Sequence, residues 1–262
     1  MGVRMNHDIV LAAFDRQMRQ DVRPDGPEGR VERVEGVVRQ VGPDHGWNGV
    51  VWSNLDHTTA DAAIAAQVRY FTSIGREFEW KLYAHDRPDD LPGRLRAAGF
   101  VPEPEETLMV AEVSDLPTAV ELPDEIRLLP VTDAAGAELM TDVHEQAFGT
   151  ARPEFMQRFL EQLAEEPDTV AAAVAMAGDV PVSAARMEMH PGTQFASLWG
   201  GGTAPAWRGR GIYRALVAFR ARIAAERGYR YLQVDASDQS RPILQRLGFV
   251  PLSTTTPYLY QP

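Results

Sequence analysis

Leu198-Trp-Gly-Gly-Gly-Thr-Ala-Pro205-Ala-Trp-Arg208-Gly-Arg-Gly211-Ile-Tyr-Arg-Ala-Leu216-Val217 is the stretch from which the rest of the chain can be read. Residues 194–199 read as a strand, and three consecutive glycines, Gly200 to Gly202, mark a kinked exit from it. After Gly211 the apolar side chains recur at Ile212, Leu216, Phe219 and Ile223, which is one face of an α-helix. Gly209 and Gly211 stand where the chain turns into that helix, with no Cβ to hold backbone N–H groups apart. A helix start presents unpaired N–H donors at the positive end of its dipole. With Arg208, Arg210 and Arg214 beside it, the turn reads as a cradle for a pyrophosphate-like anion.

Several ligands compete for such a cradle. A P-loop would place Lys and Ser or Thr after the last glycine, where this chain has Ile212 and Tyr213. A dinucleotide fingerprint keeps the strand, Gly209-x-Gly211, the helix and an acid, Asp235, at the end of the next strand. It puts Arg214 at the third glycine position, however, and stands alone late in the chain instead of opening a parallel sheet. A plain glycine turn with solvated arginines is the structural alternative. The fourth reading rests on a wider pattern. Pro205-x-x-Arg208-Gly209-Arg210-Gly211-Ile212, then Leu232-Gln-Val-Asp235, then Leu244-Gln-Arg-Leu-Gly248-Phe249-Val250 resembles the GNAT superfamily of acetyl-CoA-dependent N-acetyltransferases over roughly residues 125–260.

That resemblance implies a site. The strand before the loop splays from its neighbour to admit pantetheine, with backbone groups of Leu198, Trp199 and Gly201 meeting pantetheine and the acetyl carbonyl. Arg208, Gly209, Arg210, Gly211, Ile212, Tyr213 and Arg214 would hold the pyrophosphate. Free backbone donors aimed at a developing oxyanion suit acyl transfer. The chemistry also needs a base for the amine and an acid for the leaving thiolate. The family commonly has a tyrosine four residues before the helix-ending glycine; here that position is Leu244. Tyr213, where Gly or Ala is typical, is either packed or near the sulfur. Glu188, the one acid between Met187 and Met189 on the preceding strand, is the candidate base, against a plain solvated position on an alternating strand. His190 reads as a turn residue, His144 as a possible substrate contact, and Asp235 as the cap of the next turn.

Composition narrows the function classes. The chain has 262 residues, 44% hydrophobic, with a formal charge of −11 that argues against general nucleic-acid binding. It has no cysteine, which excludes disulfides, thiolate catalysis and zinc–cysteine sites, and its six histidines show no helical metal-ligand pair. No metal is expected. No apolar run approaches the ~18 residues of a membrane span, and residues 1–8 lack a signal core. A cytoplasmic monomer or homodimer follows as the expectation. Lys81 is the only lysine, and we read the arginine excess as a general bias. Even so, seven arginines fall between Arg208 and Arg230 of an acidic chain, which suits a phosphate-rich ligand.

The first half repeats the plan of the second. Its pattern predicts a helix over 8–20, a loop at 22–29, and strands at 31–40 and 47–54 around a turn at 42–46. A helix follows from a cap at Thr58 or Thr59 to about 73, then strand 78–83, helix 88–98 and strand 107–113. Leu95-Arg-Ala-Ala-Gly99-Phe100-Val101-Pro102 matches Leu244-Gln-Arg-Leu-Gly248-Phe249-Val250-Pro251, with Asp86 and Asp235 the same distance ahead. This is an internal duplication with too long a period for a solenoid. Where the second copy has Trp-Arg-Gly-Arg-Gly, the first has Asn54-Leu-Asp56-His-Thr-Thr, without glycine and with an added carboxylate.

The second half reads as strand 125–129, two helices begun by Asp133 and Pro153, a meander (170–176, 182–189, 194–199), the Gly211 helix, strand 229–234, helix 240–247, and strands near 249–253 and 257–260. The fold class is α/β (α+β): two GNAT-like domains of mixed, mostly antiparallel sheet flanked by helices. Residues 1–117 would form a degenerate domain without a CoA loop, and 118–262 the acetyltransferase domain. The expected function is acetyl transfer from acetyl-CoA to a primary amine of a small or cationic substrate. A catalytically silent CoA-binding protein and an NAD(P)-dependent oxidoreductase are the rivals.

Overall fold

The computed structural model describes residues 5–262 apart from 25, 27, 44, 45 and 150–152, and leaves the side chains of 153–155 undescribed. Residues 1–4 of the amino-terminal reading, and parts of the loop at 22–29 and the turn at 42–46, lie outside the described residues. The chain forms two compact units that do not divide at a single point. One comprises Met1–Met109, Asp235–Pro242 and Pro251–Pro262; the other comprises Val110–Val234 and Ile243–Val250.

In the first unit, α1 (His7–Phe14) starts under an Asn6 cap and runs into a π-helical segment, Asp15–Gln20. The stretch 31–40 is two strands, β1 (Arg30–Val34) and β2 (Val37–Val41), because the chain reverses at Glu35 and Gly36 with φ of +50° and +82°. Then come β3 (Gly49–Ser53), α2 (Ala60–Ser73), β4 (Phe78–Tyr83), α3 (Leu91–Ala97) and β5 (Val101–Pro102). β6 (Glu106–Glu112) runs through the division between the units. The last strand of the chain, β12 (Val250–Tyr260), pairs antiparallel with β4 from Thr255↔Tyr83 to Tyr260↔Phe78, so the two closing strands expected at 249–260 are one. α2 seats Ile64 and Phe71 on this sheet; Phe71 stacks on Phe78 at 4.2 Å and Phe78 meets Phe100 edge-on at 5.2 Å. Each such aromatic contributes about 1.5–3 kcal/mol through burial.

The second unit runs β7 (Ile126–Pro130), α4 (Ala134–Phe148), α5 (Pro153–Glu165), β8 (Val170–Ala177), β9 (Val180–Met189), β10 (Phe195–Thr203), α6 (Ile212–Glu226), β11 (Tyr231–Ala236) and α7 (Arg241–Arg246). Asp133 caps α4, its Oδ1 accepting from Gly136 N at 2.9 Å, as Ser, Thr, Asn and Asp do at that position. β7, β8, β9 and β10 form the antiparallel meander, and β10 runs parallel to β11. One face of the meander packs Val174 and Met176 on α4 and α5; the other packs Ala175, Val182 and Ala185 on Ile212, Leu216 and Phe219 of α6. The sheet thus separates a helix pair from the helix that begins at Gly211.

Two local readings change. Thr59 occupies the cap position of α2 but makes no side-chain cap bond; Asp56 does that work, its Oδ1 accepting from Thr58 N at 2.8 Å and Thr59 N at 2.9 Å. Asp86 lies past the end of β4, whereas Asp235 is inside β11, because the connection from β4 to α3 is longer than that from β11 to α7. Equal spacing in sequence was not equal place in the fold.

Candidate active site

β10 opens the site. It is hydrogen-bonded in parallel to β11 at Phe195↔Tyr231, Ala196↔Leu232 and Ser197↔Gln233, and the register ends there. Its other edge stays paired with β9 to Thr203↔Ser183, with an irregularity between Trp199 and Gly202. From Leu198 onward the edge of β10 toward β11 has no ladder, and backbone groups on such an edge want a partner. Gly200 takes φ +57°, which the kink requires. Gly201 leaves room for another reason: a Cβ there would meet the Tyr213 ring at 2.9 Å.

The chain then makes a 3-10 turn (Pro205–Trp207) and enters α6 through Gly209 and Gly211, at φ +76° and +82°. α6 has no side-chain cap, so its first N–H groups are free to meet an anion. The three arginines differ in what they do. Arg208 is tied down, donating from Nε to Thr203 O at 3.0 Å and from Nη2 to Ala147 O at 3.2 Å. Arg210 lies over the Trp207 ring at 4.5 Å with Glu125 3.6 Å from Nη1, and Arg214 is exposed. Leu198 is buried, Trp199 lies half open opposite Arg186, and Ile212 is in the core against the sheet. The structure therefore gathers Leu198, Trp199, Gly201 and residues 208–214 at one end of β10.

On the face toward α4 and α5 lies an apolar pocket lined by Met140, Thr141, His144, Met156, Arg186 and Gly200. Glu188 stands two residues along β9 from Arg186 and holds it, 3.0 Å from Arg186 Nη2. Burial pulls the Arg186 guanidinium down, Glu188 pulls it up, and Arg158 lowers it again, leaving it below an ordinary arginine. Glu188 is directly opposite Ser197. Ser197 Oγ is 2.7 Å from His190 Nε2 and accepts from Gln233 Nε2. His190 is therefore not a plain turn residue. Burial lowers its pKa, against a smaller upward pull from Glu188, so the ring is neutral near pH 7. Arg186, Glu188 and His190 recur at a period of two in an apolar strand, and that spacing was a usable signal for a polar row on one face.

Two other expectations resolve differently. Asp235 does not cap a turn; it lies 2.5 Å from Lys81 Nζ, the chain's one lysine, with both side chains largely buried. Leu244, at the family's tyrosine position, is fully buried in apolar packing and has no proton to give. Among the described residues, no cluster of His, Asp and Glu fits a metal ion, and no helix is long and apolar enough to cross a membrane.

A splayed parallel strand pair facing an uncapped, glycine-framed helix start, under a pair of helices, defines the N-acyltransferase class of fold. Residues 137–249 match the acetyltransferase (GNAT) family. No curated protein matches the sequence. Among solved structures, a GCN5-related N-acetyltransferase from Kribbella flavida aligns with 99% of this chain and 97% of its own at 19% identity, TM-score 0.72. A tandem GNAT protein from the clavulanic acid biosynthesis pathway aligns over 97% and 94% at 12% identity, TM-score 0.64. A GCN5-related N-acetyltransferase from Sphaerobacter thermophilus covers 87% and 81% at 15% identity, TM-score 0.60. At these identities the likeness is one of fold, and it spans both halves of the chain.

Proposed function

We propose that the second unit moves an acetyl group from acetyl-CoA to a primary amine. The observation that carries this reading is the loss of the β10–β11 ladder after Ser197–Gln233, beside a helix start framed by two left-handed glycines. Unpaired groups of Leu198, Trp199 and Gly201 suit a pantetheine chain and a carbonyl oxygen; Gly209 to Arg214, Arg210 and Arg214 above all, suit the pyrophosphate. The amine enters the pocket between α4 and β9, with Glu188 as the base. Because one side of that carboxylate is held by Arg186, Ser197 and neutral His190 form the adjoining path for the proton. Replacing Glu188 by Gln is expected to lower kcat by about 100-fold, in the range for one acid–base group, without weakening acetyl-CoA binding. Steady-state rates at full activity in that variant would remove Glu188 as the base.

The first unit is proposed to be silent toward acetyl-CoA. Its own parallel pair, β3 and β4, also opens after two residues, Gly49↔Glu79 and Val50↔Trp80. The edge freed there is used internally: Arg19 Nε donates to Val51 O at 2.9 Å. The start of α2 is filled by the Asp56 carboxylate, which hydrogen bonds from Thr58 and Thr59 hold down to about 2, so an ionised group occupies the anion position. Calorimetric titration with acetyl-CoA is therefore expected to give one site per chain. Two sites would reject the silent first unit; none would reject the cradle.

A further inference from the structure

Arg220 is buried where a charge is costly. Only 1% exposed, it faces the sheet from the stripe of α6 that also carries Val217 and Ala224. Nε donates to Leu216 O at 3.0 Å and Nη1 to Arg186 O at 3.1 Å, while Nη2 has no hydrogen-bond partner among the described residues. Among the described residues no carboxylate acts on it. An isolated ion in a protein interior costs several kcal/mol unless something compensates it. Among the described residues, the one ionisable group that acts on Arg220 is Tyr213, two turns earlier on the same helix. The Tyr213 ring lies against the unpaired stretch of β10, its Oη 3.7 Å from where a Cβ on Gly201 would be.

Resting on the acetyl-transfer reading, we propose that Tyr213 is the acid that protonates the departing thiolate and that Arg220 is its positioning residue, holding the tyrosinate that results. As the amine nitrogen bonds to the acetyl carbon and the carbon–sulfur bond breaks, the sulfur takes the electron pair. Tyr213 Oη delivers its proton to that sulfur. The proton shed by the new amide nitrogen leaves by Glu188, and Tyr213 is reprotonated from solvent. This assigns the acid that Leu244 cannot supply, and it gives the buried guanidinium a counter-charge that forms only during turnover. Burial raises the Tyr213 pKa and Arg220 offsets only part of that rise, so the hydroxyl ends above the ordinary tyrosine value and carries its proton near pH 7. Facing groups are few: from β9 the Arg186 backbone carbonyl, from β10 the Gly201 backbone, and among the described residues no other charged side chain acts on either partner.

The test has two independent readouts. In the ligand-free protein, the tyrosinate absorbance that vanishes in Tyr213→Phe is titrated; Arg220→Met is expected to move that titration up by at least one pH unit, and Arg220→Lys to restore most of it. Second, thiol release from acetyl-CoA is followed with a panel of primary amines. Tyr213→Phe and Arg220→Met are each expected to lower kcat more than tenfold with KM for acetyl-CoA within threefold, and the double variant to lose no more than Tyr213→Phe alone. A Tyr213 titration unmoved in Arg220→Met overturns the pairing whatever the activity, and losses that multiply in the double variant overturn the shared role. Absence of thiol release from the unaltered protein with every amine, alongside a shifted titration, overturns the acetyl-transfer reading and the acid role built on it.

Discussion

Gly211→Glu is expected to abolish acetyl-CoA binding, weakening it by more than 100-fold, or about 2.7 kcal/mol, while leaving the fold in place. Position 211 sits at φ +82° at the mouth of α6, and no heavy atom lies within 4 Å of a Cβ built there. The side chain therefore has room, and the backbone cost of a left-handed non-glycine residue is about 1–2 kcal/mol. That is survivable within the roughly 5–15 kcal/mol of an ordinary domain. The binding cost is larger because the carboxylate sits on the helix start itself, accepting the N–H groups meant for the pyrophosphate and repelling it. The first unit already demonstrates the device, since Asp56 fills the start of α2 in this way. Calorimetry and circular dichroism on the variant check both halves of the statement, with Gly211→Ala separating strain from charge. An unchanged Kd in Gly211→Glu would end the assignment of the cradle.

Arg19→Met is expected to give the largest loss of stability, about 3–5 kcal/mol, the usual result of stripping one partner from a buried ion pair. Arg19 is 2% exposed, with Nη2 2.6 Å from Asp86, Nη1 2.7 Å from Asp15, and its guanidinium 4.1 Å above the Tyr83 ring. Without it, the buried Asp86 carboxylate keeps the Tyr83 N–H as a donor and no cation. For a chain of this size the midpoint should fall on the order of 10 °C. The pH dependence should change as well. Burial pushes the Asp15 carboxyl up, but the His85 hydrogen bond and the Arg19 charge outweigh it, and its pKa ends below the ordinary value of 3.8. Such a depressed acid stabilises the fold above its unfolded pKa and loses that contribution as pH falls through the folded one. The variant's stability should therefore depend less on pH below about 4. Thermal melts across that window decide it: a midpoint within 2 °C of the unaltered protein would show that Arg19 is not holding the first unit together. Acetyl-CoA stoichiometry should stay at one, because Asp56 still fills the start of α2.

Legibility followed the length scale of the interaction. The glycine-arginine turn, the Ile212, Leu216, Phe219 and Ile223 stripe, the Asp133 cap and the meander depend on residues a few positions apart, and local chemistry fixes such features. The internal copy ending in Gly99-Phe100 and Gly248-Phe249 was legible for the same reason. Its implied register for Asp86 and Asp235 failed because the connecting loops differ in length.

What the chain alone determined is a glycine-framed helix start after a kinked strand, in two copies of which one lacks the glycines and carries Asp56. Tertiary structure decided the rest, because it brings together groups far apart in sequence. Lys81 meets Asp235 only once β4 and β11 are placed, and Arg19 reaches Val51 and Asp86 only after its helix packs. Ser197 finds His190 across a turn and Gln233 across a parallel pair. In sequence Arg220 was only one of the seven arginines between Arg208 and Arg230, because helical periodicity marks a single apolar stripe, whereas α6 buries a second one against the sheet. A charge in that stripe is informative because burial makes it costly, and burial is a property of the fold.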